Sequence, residues 1–223
     1  MPEYLTDQYR STDQDRILHL VENFPFATLI PADGSDVGFM PLLLDRSNGD
    51  RGVWLYGHLD LHNPFLPQLD GQRITAVFSG PNAYISPVEY ESRQYPTWNY
   101  AVARLTGTSE LVKDETDKLA AMVRMVDQLE SANGTGYRLD ERSPQALAMI
   151  SRIVFFRLEV LAMDGVFKFS QEKSTEDRRR AQDSLIRKLQ SRQSQVLPRL
   201  TADLETQTRS GRSAGNVRRG AQQ

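Results

Sequence analysis

Short apolar runs separated by turn-forming residues cover most of the chain, and this spacing is typical of β-strands. Gly, Pro, Asn and Asp stand between the runs, where they favour tight turns. Six or seven strands with few helices indicate a barrel, so the predicted fold class is mainly β with peripheral helices (α+β). The clearest predicted strands are 26–30, 38–44, 53–56, 74–78, 100–112 and 153–161.

Helical periodicity appears in shorter stretches. Ser11 precedes an apolar pattern that ends before Pro25, which predicts a capped amphipathic helix. Between Lys113 and Glu130 the apolar residues recur every three or four positions, and Ser143 followed by proline begins another helix. These helices are expected to pack on the barrel.

The C-terminal part of the chain differs in composition from the rest. We predict a barrel domain at 1–174, followed at 175–223 by a basic helix and a flexible polar tail. Residues 178–223 hold eleven Arg or Lys and three acids, a net charge of +8, within a chain whose net charge is −2. Because Lys and Arg neutralise phosphates, this tail is a candidate contact for DNA or another polyanion.

Composition excludes several kinds of site. The chain has no cysteine, which removes disulfides, thiolate catalysis and cysteine-ligated metal centres, and it has only three histidines. It has no apolar run long enough to cross a bilayer, and its first residues lack the order of a signal peptide. We therefore expect a cytoplasmic protein with no membrane partner.

Two histidines are candidates for chemistry. His58 and His62 stand four residues apart, so on a helix they would share one face, as metal ligands often do. They lack an accompanying acidic motif, so no metal site is predicted. The alternative is that His58 lies where a strand gives way to a helix, a position that holds phosphate groups.

A long loop between two predicted strands carries aromatic and amide side chains. Tyr84 and Ser86 lie at its start, and Trp98 and Asn99 at its end. Flat heterocyclic ligands need an apolar wall with a few polar groups, and these residues could supply both, although Trp98 could equally be a core residue. No motif for acyl transfer, phosphoryl transfer or dinucleotide binding is present.

Several motifs, taken in order along residues 1–177, resemble the PaiB-type family of FMN-binding split barrels. They are Met40-Pro-Leu-Leu-Leu44, Gly57-His58 with Asn63-Pro64, Val77-Phe78 with Gly80-Pro81, Ala83-Tyr-Ile-Ser-Pro87, Pro96-Thr-Trp-Asn-Tyr100 and Lys168-Phe-Ser-Gln171. The resemblance implies a six-stranded split β-barrel of the FMN-binding type, assembled as a homodimer with cofactor sites at the subunit interface.

The resemblance also implies which residues bind the cofactor. One subunit would contribute residues from a strand and the turn that follows His58, and the other would contribute residues near Trp98 and after Lys168. The implied residues are Met40, Pro41, Leu42, His58, His62, Asn63, Trp98, Asn99, Lys168, Ser170 and Gln171.

This sequence departs from the family pattern at positions that bear on the cofactor. Phe39 and Asn82 stand where the family often has histidine, and Leu61 stands where a basic residue is common. FMN carries a phosphate that needs charged donors, which here would come from His58, Lys168 or Arg73. The alternative cofactor is haem b, because the family also resembles haem-dependent piperazate synthases, with His58 as axial ligand.

Three kinds of function follow from the resemblance. The first is an FMN-binding negative regulator of transcription that contacts DNA through the basic tail. The second is an enzyme, either an FMN-dependent oxidoreductase or a haem-dependent synthase that forms an N–N bond. The third is a dimeric interaction module that has lost its cofactor.

Overall fold

One sheet organises the described part of the chain. The computed structural model describes residues 7–45, 52–191, 196 and 201. Seven strands follow the order β3-β2-β6-β7-β8-β5-β4, and the eighth, β1, pairs with β8. The strands are β1 Arg10–Ser11, β2 Phe26–Pro31, β3 Gly38–Pro41, β4 Leu43–Leu44, β5 Trp54–Asp60, β6 Arg73–Ile85, β7 Thr97–Leu111 and β8 Ile153–Lys168. The helices are α1 Gln14–Asn23, α2 Glu115–Asn133, α3 Pro144–Ile150 and α4 at 175–191.

The predicted fold class is confirmed. Six strands have four residues or more, and β1 and β4 add two residues each. Within the described ranges, no helix combines the length and the apolar content that a membrane crossing needs. The predicted flexible tail falls almost wholly on residues outside the described part.

Contacts divide the chain into two compact units. The first unit contains residues 1–80 and 100–167, and the second contains residues 81–99 and 168–223. The predicted boundary at residue 174 stays a prediction, and the two units are described separately below.

Helix α1 closes one side of the core of the first unit. Asp13 caps it, because the Asp13 carboxylate accepts a hydrogen bond from the backbone N–H of Arg16. Ile17, Leu20 and Val21 are buried, as the helical spacing predicts. Leu20 packs so close to β6 that a Cβ at Gly80 would overlap its side chain.

Helix α2 packs on the sheet of the first unit. Asp114 caps its first turn by accepting from two backbone N–H groups, and Gly134 ends it in the left-handed conformation. Met122 packs with Phe155 of β8, whereas Met125 packs with a second buried cluster that includes Tyr56 of β5. The predicted helix is therefore confirmed, and it covers the residues around His58.

The second unit is built around α4. Ala181 and Leu185 of this helix pack with Ala83, Ile85 and Tyr90. Asp177 adds polar contacts, because its carboxylate accepts from the backbone N–H groups of residues 91 and 92 and from the Ser92 hydroxyl. The Ser92 hydroxyl is the main cause that lowers the pKa of Asp177 to about 2. Helix α4 is therefore an integral part of the second unit.

Candidate functional site

His58 lies inside a strand of the first unit. β5 continues to Asp60, and His58 is paired with Phe155 of β8. The prediction that a strand gives way to a helix at His58 is therefore wrong, because pairing with β8 extends the strand past this residue. His58 is consequently not at a helix N-terminus where backbone N–H groups could bind a phosphate.

The contacts of His58 fix its chemical form. Its Nδ1 lies 3.2 Å from the sulfur of Met125, and its ring centroid lies 5.3 Å from that of Phe155. A thioether sulfur can only accept a hydrogen bond, so Nδ1 carries the ring hydrogen and Nε2 keeps its lone pair. Burial lowers the pKa of His58, because desolvation disfavours the charged ring. His58 is therefore a neutral imidazole whose lone pair is on Nε2.

This lowered pKa predicts a pH dependence of stability. As the pH falls below about 6.5, the unfolded chain takes up a proton at His58 before the folded chain does, so acid favours unfolding. We expect the Tm of the wild type to fall more steeply than that of His58→Gln between about pH 7 and pH 5. Thermal melts across this range test it, with the exposed His62→Gln as the control. Parallel curves for wild type and His58→Gln would contradict the expectation.

His62 and Asn63 lie in the turn after β5. His62 is exposed, and its Nδ1 lies 3.2 Å from a carboxylate oxygen of Asp60. The Asn63 side-chain oxygen accepts from the backbone N–H of Phe65, which stabilises the turn. Because His58 lies in a strand, the shared helical face considered for the two histidines is wrong. Among the described residues no group of three His, Asp or Glu could hold a metal ion.

Met40, Pro41 and Leu42 do not all face one ligand. Met40 and Leu42 are buried in the core of the first unit, and Pro41 is exposed. The backbone here approaches β5 closely, since a Cβ at Gly57 would lie 2.9 Å from the carbonyl oxygen of Pro41. Side chains alternate along a strand, so Pro41 alone of the three presents its side chain to the outside.

The second unit brings together an aromatic surface and a lysine. The rings of Trp98 and Tyr84 lie 6.5 Å apart and are 44% and 41% exposed. Lys168 donates to the hydroxyl of Thr97 over 2.8 Å, next to Trp98. Trp98 is therefore a surface residue and not a core aromatic, and with Tyr84 it offers an apolar wall.

The residue after Trp98 on β7 is a buried polar group. Asn99 is fully buried, and its Oδ1 accepts from the Ser170 hydroxyl over 3.1 Å. Ser170 also lies 3.0 Å from the hydroxyl of Tyr90. The Asn99 Nδ2 has no acceptor within the described residues. A buried N–H group without an acceptor costs about 1–3 kcal/mol.

The remaining implied residue has a local contact. The Gln171 side-chain oxygen accepts from the backbone N–H of Phe169 and so supports the turn after β8. The second unit thus holds Trp98, Asn99, Lys168, Ser170 and Gln171, whereas the other implied residues are in the first unit. Their combination into one site stays a prediction. Tyr90 was missed, because no pattern in the sequence marks it as a neighbour of Asn99.

A cleft of about 720 Å³ in the first unit contains none of the implied residues. Its lining has five carboxylates and three cations, among them Arg157, which forms an ion pair with Glu110 over 2.6 Å. Burial raises the pKa of the lining residue Tyr56 to about 12. With more acids than cations, this cleft is not suited to a phosphate.

Comparison with known proteins identifies relatives in sequence. A family model described as "Putative FMN-binding domain" matches residues 3–162. "Protease synthase and sporulation protein PAI 2" of Bacillus subtilis is 25% identical over 177 residues, which cover 78% of this chain and 84% of that protein. These matches confirm the resemblance seen in the sequence motifs.

Solved structures show the same fold. The flavocytochrome Anf3 from Azotobacter vinelandii has a TM-score of 0.58 at 18% identity, covering 79% of this chain and 77% of that one. The FAD and haem binding protein from Mycobacterium smegmatis has a TM-score of 0.55 at 18% identity, covering 78% of this chain and 80% of that one. The predicted split-barrel fold is therefore confirmed.

Proposed function

Because this chain belongs to the FMN-binding domain family whose model matches residues 3–162, we propose that it binds FMN through its second unit. The observation that carries this proposal is the pair of half-exposed aromatic rings of Trp98 and Tyr84, whose centroids lie 6.5 Å apart. A flat ring system needs an apolar wall, an N–H donor for its acceptor edge and a cation for its phosphate.

The residues of the second unit meet two of these needs. Trp98 and Tyr84 would face the ring, and Lys168 would attract the phosphate. His58 does not fit the phosphate role considered for it, because burial keeps its ring neutral. FMN, when bound, supplies one- and two-electron redox chemistry, and the protein supplies binding and orientation.

Trp98→Ala tests the aromatic wall. Loss of one aromatic contact should weaken the binding free energy for FMN by about 1–1.5 kcal/mol, so the Kd for FMN should rise about tenfold. Quenching of flavin fluorescence during titration measures this. Tyr95→Ala is the control, since Tyr95 is 88% exposed in the same loop and should leave the Kd unchanged. Equal affinities for wild type and Trp98→Ala would remove Trp98 from the site.

A second copy of the chain is the proposed partner. Phe26 and Phe39 are each 63% exposed on adjacent strands of the first unit, and the register places them on one face. Exposed aromatic side chains on a sheet face favour association, because burying them removes apolar area from water. Light scattering should give the mass of a homodimer, and a monomer at high concentration would exclude it.

The roles proposed for the flavin form are a negative regulator of transcription and an FMN-dependent oxidoreductase. The cations of α4 give DNA little support, since Arg179 and Arg180 are paired with Glu176, and Lys188 with Glu89. We therefore assign the proposed DNA contact to the basic residues after 191. Gel shifts with DNA at several salt concentrations, made with the full chain and with a chain ending at Ser191, test the role as a regulator. Reduction of bound flavin by a hydride donor tests the role as an oxidoreductase.

Haem b is the second candidate, and one observation favours it. His58 offers a neutral imidazole whose Nδ1 is held by Met125 and whose Nε2 keeps its lone pair. A neutral imidazole in apolar surroundings suits the axial position of a haem iron, with His58 as that ligand. The visible spectrum of the reconstituted protein distinguishes the candidates, because flavin and haem bands differ.

A further inference from the structure

The cleft of about 720 Å³ in the first unit contains none of the residues proposed to bind FMN. Its volume is in the range of pockets that hold small organic molecules. One wall is α2, which presents Asp117, Ala121 and Arg124 from a single side, because these residues are four and three positions apart. The other wall is the sheet, where Tyr56 of β5 is paired with Arg157 of β8. The cleft is therefore a candidate for a second binding site.

Packing holds the two walls of the cleft in place. Met122 of α2 packs with Phe155, and Met125 packs with Tyr56. Ala121 lines the cleft beside Met122, and its short side chain leaves room that a larger residue would fill. A pocket whose walls are already fixed loses little conformational freedom when a ligand enters, which favours binding.

The buried part of the lining is aromatic. Phe155, Phe156 and Tyr56 have exposed fractions of 0%, 1% and 4%. The Tyr56 hydroxyl donates to the side-chain oxygen of Gln128 over 3.0 Å, so its own oxygen can accept a further hydrogen bond. This part of the cleft therefore suits the apolar body of a ligand and one N–H donor.

The charged part of the lining is unbalanced. It has five carboxylates and three cations, and two of the cations are paired with lining carboxylates. Lys113 Nζ lies 3.8 Å from a carboxylate oxygen of Asp70. The Arg157 guanidinium lies 2.6 Å from Glu110. These pairs leave three carboxylates and one cation, which are Asp45, Asp114, Asp117 and Arg124. The lining thus attracts cations and repels anions.

The cation that this lining suits is an organic one. Among the described residues no group of three His, Asp or Glu could hold a metal ion, so the carboxylates of the cleft are not gathered around one point. The wider charge distribution has the same sign, because the chain carries −2 in total and residues 178–223 carry +8, which leaves −10 on residues 1–177. An amine on an apolar body matches both the separate carboxylates and the aromatic part of the lining.

We propose that this cleft binds a small organic cation, a protonated amine on an apolar body, with the body against the aromatic part of the lining and the ammonium group beside Asp117. Asp114 already accepts two backbone N–H groups as the cap of α2, so Asp117 is the carboxylate that the helix offers to the ligand. The ammonium group donates a charge-assisted hydrogen bond to this carboxylate. The site does not depend on FMN binding by the second unit.

Two indole compounds test the charge of the ligand. Tryptamine and indole-3-propionate have the same ring on a side chain of similar length, but the first ends in an ammonium group and the second in a carboxylate. Calorimetric titration of the full chain should show saturable binding of tryptamine and at least about tenfold weaker binding of indole-3-propionate. Equal affinities, or no saturable binding of tryptamine, would overturn the proposal.

Two substitutions on α2 test the location of the site. Asp117→Asn should raise the Kd for tryptamine about threefold, and Arg124→Gln should lower it about threefold by removing a cation from the lining. Both side chains are exposed, so both folds should be kept. Glu115→Gln is the matched control, since it removes one negative charge from the same turn of α2 but does not line the cleft, and its Kd should equal that of the wild type.

The three variants separate a local contact from a general effect of charge. Opposite changes of the Kd in Asp117→Asn and Arg124→Gln, with Glu115→Gln unchanged, support the proposal, because loss of structure would not strengthen binding. Equal increases in Asp117→Asn and Glu115→Gln would show a general effect of helix charge and would contradict it. An unchanged Kd in both Asp117→Asn and Arg124→Gln would place tryptamine elsewhere on the chain, and the proposal would be wrong.

Discussion

Gly107→Ala is expected to destabilise the protein by about 4 kcal/mol or more, a loss that lowers the Tm by roughly 10 °C in a chain of this size. Gly107 lies on β7, which neighbours β8 in the sheet. A Cβ added at this position would overlap the backbone carbonyl oxygen of Glu159 and would also press on Leu158. A paired backbone cannot rotate away as a side chain can, so the two strands must separate.

The neighbouring position supplies the control for this substitution. Thr108 is exposed on the same strand, so Thr108→Ala should change stability by less than about 0.5 kcal/mol. Thermal melts of both variants and the wild type measure the difference. A Tm for Gly107→Ala within about 2 °C of the wild type would show that β7 and β8 are not so closely packed here.

The strands and helices of the first unit were largely predictable, because their signals are local. Alternating apolar residues identified β2 and β6, and spacing by three or four identified α2. Such signals locate the end of an element only to within one or two residues. The predicted capping motif of α1 begins at Ser11, but the residue that caps the helix is Asp13. Local patterns therefore established the fold class well.

The environment of His58 was not predictable, since it depends on residues far along the chain. The length of β5 follows from pairing with β8, which begins at Ile153. The sulfur that bonds to His58 comes from Met125 of α2, a position that reads as ordinary helix core. No spacing within residues 53–63 carries this information.

The candidate site of the second unit shows the same limit. Trp98 and Asn99 were singled out by the aromatic and amide side chains of their loop, and Lys168 by the family resemblance, but the local sequence did not distinguish a ligand wall from core packing. Tyr90 had no signal, because its link to Ser170 joins residues 80 positions apart. Such contacts are visible only after the turn following β8 is placed beside the loop that contains Tyr90.

His58→Ala is expected to separate the two candidate cofactors. Loss of the imidazole removes the lone pair that would bind haem iron, so haem affinity should fall at least about 100-fold. Removal of a residue that only hydrogen-bonds to a metal ligand has a smaller effect. FMN affinity should stay within about threefold, because the residues proposed to hold FMN lie in the second unit. Titrations of the purified protein with each cofactor, followed by absorbance, measure both quantities.

His62→Ala is the control for this substitution, since it removes an exposed imidazole four residues away that contacts Asp60. It should change neither affinity, because the side chain of His62 is 90% exposed. A fall in FMN affinity of more than tenfold in His58→Ala, with no change in His62→Ala, would place flavin at β5 and contradict the assignment of the second unit. Unchanged haem uptake in His58→Ala would exclude His58 as an axial ligand, because haem would then bind without the imidazole.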